Sequence, residues 1–288
     1  MAIATLERTE IGTKPAALKS REHMDVSRLA VTFPRVIHSE WVKFRSLRSN
    51  WITIIAAVAI IIGIGALAAA MLSGAISSSG GGPGDNTTDP TTSSLSGMLL
   101  AQIIMGILGV IVMTSEFSSG MIRTTFSAVP KRLPVLWAKA IVVAGVTFAV
   151  ALPASFAVFF IGQGILGSGM QANLSDDGVL RAVIGSAGYL TAIALLGLGL
   201  GSILRQAAGA IGSLFVLLLL APGLLGLVLP ASTGDTFLKY LPSNAGSAFT
   251  SIGSTDTLLS PTMGMLVLVG WVAVFLASAA VLLKRRDA

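Results

Sequence analysis

The sequence predicts an all-α integral membrane fold with six transmembrane helices, and three observations carry that prediction. Of 288 residues, 53% are hydrophobic and only 11% charged, against about 25% charged in soluble domains; the mean hydropathy is +0.85. Six predominantly apolar stretches are long enough to cross about 30 Å of hydrocarbon, which takes about 20 residues at 1.5 Å each. Lys and Arg gather in alternate connections between those stretches, as the positive-inside rule requires.

Residues 1–32 mix charged with small residues and show no sustained apolar period, so they read as a disordered cytoplasmic tail. From Phe33 the pattern changes. Ile37, Trp41, Phe44, Leu47 and Trp51 recur at spacings of four, three, three and four, with Arg35, Lys43, Arg45 and Arg48 between them. This predicts an amphipathic helix over 33–50, an elbow lying in the cytoplasmic headgroup layer with Trp41, Lys43, Phe44, Arg45, Arg48 and Trp51 at the membrane interface. The alternative is an unbroken extension of the first span whose basic residues snorkel.

The six-helix domain takes 51–288, with spans expected at 51–73, 95–114, 135–162, 182–204, 208–229 and 263–283. A cleavable leader is not expected, because roughly fifty mostly polar residues precede the first apolar run. Between the first two spans, SGAISSSGGGPGDNTTDPTTSS reads as a flexible, solvated loop. Seventeen of the nineteen basic residues fall on one side: the first fifty residues, Arg123, Lys131 and Arg132, then Lys139, Arg205 and the Lys284–Arg286 tail. Only Arg181 and Lys239 remain for the other side, with six aspartates. Both termini are therefore expected in the cytoplasm, with the chain in the plasma membrane.

Composition also excludes chemistries. There is no cysteine, and the two histidines, His23 and His38, precede every span, so neither a metal site nor a catalytic residue is expected. The pI of about 10.1 follows topology rather than nucleic-acid binding. The spans contain no Asp, Glu or His, and Lys139 is expected to snorkel to the headgroups; that disfavours an ion-coupled carrier or intramembrane protease. Gln102 is the polar residue expected along a pathway. The GLGLGS run around Gly197, Gly199 and Gly201 fits either an unwound cation site or, preferably, close helix packing, and Pro153 suggests a kink. No phosphate-cradling G-x-x-x-x-G-K-[ST] motif occurs, so any ATP is hydrolysed by another chain.

Two connections stand out. In 114–139, Phe117, Met121, Ile122 and Phe126 have near-helical spacing with Glu116, Ser119 and Arg123 between them, so a short interfacial helix is expected over 115–126, ended by Pro130 and Pro134. Residues 230–262 are long for a loop and too apolar, with Phe237, Leu238, Tyr240, Leu241 and Phe249, to be purely solvated. Short helices are expected there between spans five and six, either dipping into the outer leaflet or forming a lid.

RVIHSEWVKFRSLRSNWIT, residues 35–53, and the 114–139 loop carry a resemblance to the permease subunits of ABC-2 type transporters, particularly actinobacterial ones. In the loop, Glu116, Gly120, Arg123, Pro130, Lys131, Arg132 and Lys139 match the family pattern, and LPSNAG at 241–246 extends the likeness. The polar tail and the Gly/Ser/Thr-rich loop depart from it.

The resemblance implies a non-catalytic membrane subunit of an efflux transporter for hydrophobic or amphipathic compounds. It implies pairing with a second permease copy, identical or related, and with two cytosolic ATPase subunits. ATP and Mg²⁺ would be bound there, and no cofactor by this chain. It also implies that the loop helix is a cytoplasmic coupling helix, with Glu116, Phe117, Gly120, Arg123 and Phe126 meeting the ATPase, and that Tyr240, Pro242 and Asn244 form an outer-loop gate. Lys131 and Arg132 would pair with acidic groups of the ATPase or with anionic lipid, or serve only as positive-inside flanks. Rival readings are an ATP-independent secondary transporter and a membrane-anchored assembly protein.

Overall fold

The computed structural model describes residues 32–74, 89–129, 131–167, 171–228, 230, 236–252 and 258–285, and every regular element among them is helical. The compact unit begins at Phe33. Of the expectations above, the disordered tail (but for Thr32), residues 75–88 of the Gly/Ser/Thr-rich loop, Pro130, Arg286 and parts of the connection after the fifth span lie outside the described residues.

The helices are α1 (Phe33–Ser46), α2 (Arg48–Leu72), α3 (Pro90–Ser94), α4 (Met98–Ser118), α5 (Met121–Ala128), α6 (Arg132–Leu166), α7 (Val179–Leu204), α8 (Ala207–Phe215), α9 (Ala221–Val228), α10 (Pro242–Thr250) and α11 (Pro261–Arg285); a π-helical turn, Val216–Leu220, joins α8 to α9. Among the described residues, six helical segments are long and apolar enough to cross a membrane: α2, α4, α6, α7, the joined α8–α9 and α11. Each begins and ends within a few residues of its expected place. The third is longest at 35 residues, about 50 Å, and runs through Pro153. The second continues to Ser118 and so takes Glu116 into its last turn, which corrects the expectation that the spans carry no acidic residue.

The first two helices are separate. Leu47 has an extended backbone, φ −85° and ψ 108°, and this one residue turns the chain. Side chains from the first turn of α2 then satisfy carbonyls at the end of α1, Asn50 Nδ2 donating to Phe44 O at 3.1 Å and Trp51 Nε1 to Arg45 O at 3.1 Å. Terminal carbonyls have no partner inside their own helix, so the corner is held by hydrogen bonds that an unbroken helix would not need. The edge-on packing of Phe44 against Trp51 adds an apolar contact.

The most enclosed span is α7, and glycine is what lets its neighbours close on it. A Cβ on Gly197 would overlap the Gly106 carbonyl of α4, one on Gly109 the Ala194 carbonyl of α7, and one on Gly199 would press on Phe275 of α11. Close approach through small residues is how helices associate without a hydrophobic driving force between them. Because α7 is unbroken from Val179 to Leu204, GLGLGS has no unwound carbonyls to offer a cation, and the packing reading holds.

At the end of the bundle away from α1 and α5, two short helices fold back among the spans. The final residues of the Gly/Ser/Thr-rich loop form α3, capped by Asp89, whose Oδ2 accepts from Thr91 N at 3.0 Å and Thr92 N at 2.9 Å, with Pro90 starting the helix. Thr91, Ser93 and Ser94 are buried, and Gly65 of α2 and Gly162 of α6 leave room for Ser94. This corrects the expectation of a solvated linker for residues 89–94: α3 is packed structure. The second, α10, packs on α7 and α11, with Gly246 against the Tyr189 ring and Gly264 against Ala245.

Candidate functional site

Four charged side chains meet where α1, α4, α5 and α6 converge. Glu40 and Lys43 are one turn apart on α1, Glu116 closes α4, and Lys139 sits in the second turn of α6. Lys139 Nζ lies 2.5 Å from Glu40 Oε2 and 3.0 Å from Glu116 Oε1, while Lys43 Nζ lies 2.7 Å from Glu40 Oε1 and 3.1 Å from Glu116 Oε1. Each ammonium thus touches both carboxylates, and the ring is formally neutral. Lys43 also donates to Thr125 Oγ1 of α5 at 3.2 Å, which ties the short helix to the ring.

Glu40, Glu116 and Lys139 are each no more than 3% exposed. Lys139 therefore does not snorkel, because two carboxylates already stand within hydrogen-bonding reach inside the protein. Glu116 Oε2 and Asn50 Oδ1 have no donor among the described residues. Both residues line a small cavity of about 30 Å³, enough for one water.

Burial alone would raise the Glu40 pKa, but Lys139 and then Lys43 outweigh it and hold the carboxyl below its ordinary value of 4.5. Burial likewise opposes the charge on Lys43, and the hydrogen bond and charge of Glu40, with Glu116, raise its pKa above 10.5. The two signs bracket a window. A depressed carboxylate stabilises the fold above its unfolded value and loses that contribution as pH falls through the folded one; a raised ammonium does so below its unfolded value and loses it as pH rises. The thermal midpoint in detergent is accordingly expected to be flat between about pH 5 and pH 10, falling on either side, with the acid limb reduced in Glu40→Gln. A wild-type acid limb in that variant would exclude Glu40 as its source.

Several expected site residues lie elsewhere than sequence reading put them. The short helix starts at Met121, not near Ser115, because Gly120 turns the chain with φ 71°, a conformation glycine takes readily. Glu116 and Phe117 thus belong to α4. Phe117 lies under the Arg205 guanidinium, 5.2 Å from ring centre, and Phe126 is half-buried 5.4 Å from that of Arg132. Arg123 is exposed on α5. On α1, Phe44 is buried, Lys43 is in the ring, and Trp41 and Arg45 face outward, as does Arg48 at the start of α2. At the other end Pro242 starts α10, Asn244 Nδ2 donates to Leu238 O at 2.9 Å, and Tyr240 O accepts from Trp271 Nε1 at 2.8 Å. Gln102 faces α7 inside the chain, 1% exposed, and accepts from the Tyr189 hydroxyl.

Sequence reading missed Glu40, Thr125 and the pairing of Lys139. The face it read as lying at the membrane interface runs along Trp41 and Leu47, which are exposed, but also through Phe44, which packs inward with Val36 and Glu40 in the stripe of α1 that meets the bundle. Those three stand four apart, and Glu40 stands three before Lys43, so an i, i+4, i+8 count centred on the acid would have found it.

The arrangement suits a mechanical role more than a chemical one. Its carboxylates are neutralised by two ammoniums, and the ring locks four helices at the end of the bundle beneath α5. A family model described as ABC-2 family transporter protein matches residues 36–221, from within α1 to the start of α9, and so contains the whole ring. No curated protein matches the chain.

Proposed function

We propose, for a chain that belongs to the ABC-2 family of transporter proteins, that it is the permease subunit of an ATP-driven exporter in the plasma membrane, moving a hydrophobic or amphipathic substrate, drug, lipid or peptide-like, out of the cell. It is a multi-pass membrane protein with six apolar spans. The end that carries α1 and α5 faces the cytoplasm in this reading, and with it both termini. Lys43, Arg45, Arg48, Arg123, Lys131, Arg132, Lys139, Arg205, Lys284 and Arg285 all lie at that end, whereas Arg181 and Lys239 lie at the other, a distribution that supports the orientation.

The observation that carries the reading is the placement of α5. It exposes Met121, Arg123, Thr124 and Ser127 while Ile122 is buried and Thr125 holds Lys43. A cytosolic ATP-binding subunit, one of two in the complex, docks on the exposed face, with ATP and Mg²⁺ bound in that subunit. A displacement of α5 reaches α1, α4 and α6 together, because one ring of ion pairs joins them. Gly120, the free-turning joint, lets α5 tilt. Glu116 and Phe117 act from beneath rather than at the docking surface.

A second permease copy, identical or related, covers the apolar outer face of the fifth span, where Phe215, Val216 and Leu220 are exposed. Trp41 and Val42 of α1 point outward into the headgroup layer as an elbow helix would, and Lys131, Arg132 and Lys284 line one cleft there suited to anionic lipid.

Charge reversal at Arg123 tests the docking. Arg123→Glu is expected to insert and fold as wild type yet to bind the ATP-binding subunit about tenfold or more weakly, as for a central interface arginine, with transport falling in step. Undiminished binding and transport would remove α5 as the docking site. Transport by this chain in proteoliposomes lacking any ATP-binding subunit would make it a secondary transporter instead.

A further inference from the structure

We propose that the open-mouthed cavity lined by α3, α4, α7, the π-helical turn, the start of α9 and α10 binds one uncharged amphipath per chain, its polar group rich in hydroxyls. The site lies at the end of the bundle opposite the ion-pair ring and within a single chain. Its occupancy therefore does not depend on an ATPase partner, and it stands or falls apart from the export reading.

The cavity has a volume of about 360 Å³, within the range of small-molecule pockets. Among the described residues its lining contains no Asp, Glu, Lys or Arg but many hydroxyls and amides. Tyr189 and Gln102 are bonded to each other, Gln102 Nε2 to Leu99 O at 2.9 Å, and Ser186 Oγ to Ala182 O at 2.8 Å. Two lining hydroxyls are different. Ser243 is only 8% exposed, and its Oγ, like the buried Oγ of Ser96, has no hydrogen-bond partner among the described residues. Buried polar atoms are ordinarily paired, so two orphaned hydroxyls on residues that line the cavity, one on α10 and one on the turn between α3 and α4, leave hydrogen-bonding capacity there that nothing among the described residues uses.

The lining also sets the ligand's charge. An ion entering here would be desolvated without a counter-charge, at a cost that selects against it. A neutral group with hydroxyls can donate and accept at both serines. Leu219 of the π-helical turn and Pro222 offer an apolar wall for an alkyl chain; single π turns occur often at functional sites. Alkyl glycosides are the simplest molecules with both halves.

The test uses the full chain in lipid nanodiscs with a photoactivatable alkyl glucoside, the labelled peptides being mapped by mass spectrometry. Labelling is expected to saturate at one probe per chain, on peptides from α3–α4 and α10, and to be competed by octyl glucoside at least tenfold better than by octyl sulfate or octyltrimethylammonium. Ser96→Ala with Ser243→Ala removes two hydroxyls that have no hydrogen-bond partner among the described residues and should weaken binding about tenfold without altering the fold. Ser247→Trp, at the exposed rim of the same cavity, should block labelling. Unsaturable labelling spread over lipid-facing helices, equal competition by the charged alkyls, or unchanged affinity in the double alanine variant would each overturn the proposal.

Discussion

Lys139→Met is expected to unfasten the junction of α1, α4 and α6. It leaves Glu40 and Glu116, both buried, to share Lys43 alone, so one negative charge is uncompensated in a poorly hydrated site. Breaking a buried pair by removing one partner costs about 3–5 kcal/mol, a large share of the roughly 5–15 kcal/mol by which a folded protein is ordinarily stable. The purified variant should unfold at a clearly lower temperature and lose transport. Adding Glu116→Gln restores neutrality and keeps the 2.7 Å Lys43–Glu40 pair, so the double variant should recover most of the loss. The cycle separates charge balance from side-chain packing. If Lys139→Met melts as wild type does, the ring is incidental to the fold.

Gly197→Ala is expected to be nearly as damaging, for a steric reason. The added methyl would meet the carbonyl and α-carbon of Gly106, backbone atoms of a neighbouring helix that cannot rotate away. Only a shift of α4 against α7 makes room, and overpacking of this kind costs about 1–3 kcal/mol or more. Gly188 on the same helix is the control, because a Cβ there meets nothing within 4 Å. Gly188→Ala should be neutral or stabilise by up to about 1 kcal/mol, the helix-propensity difference. Thermal unfolding of the two variants side by side reads the contrast, and equal midpoints would mean that α4 and α7 are not in glycine-mediated contact.

The architecture was legible in the sequence wherever it depends on length, hydropathy and charge position, which is why the six spans, the separate helix from Phe33 and the Gly197 packing were all readable. What escaped it depends on rotation and tertiary partners. The face of α1 that packs is set by Glu40 finding Lys139, 99 positions away, and a count of apolar residues alone passes over the acid in the Val36, Glu40, Phe44 stripe. Lys139 read as a snorkelling lysine because its partners lie on two other helices. Glu116 looked like a surface residue of a loop helix because the stop of α4 is made by Gly120, whose left-handed turn a hydropathy scan does not register. For α3 the polar composition of DPTTSS suggested solvent, yet the Asp89 cap, the Pro90 start and the glycines facing Ser94 let those small polar residues fold into the bundle.

We propose that this chain works as the permease of an ATP-driven complex whose motor docks at α5. The most direct measurement is co-purification in mild detergent from native membranes, with ATPase activity and subunit stoichiometry read on the same sample for wild type and Arg123→Glu. An ATP-binding subunit is expected in equal amount with the wild-type chain, active as an ATPase, and lost or depleted from the variant although the variant itself is recovered intact. A pure, ATPase-free assembly of the wild-type chain that still transports would contradict it.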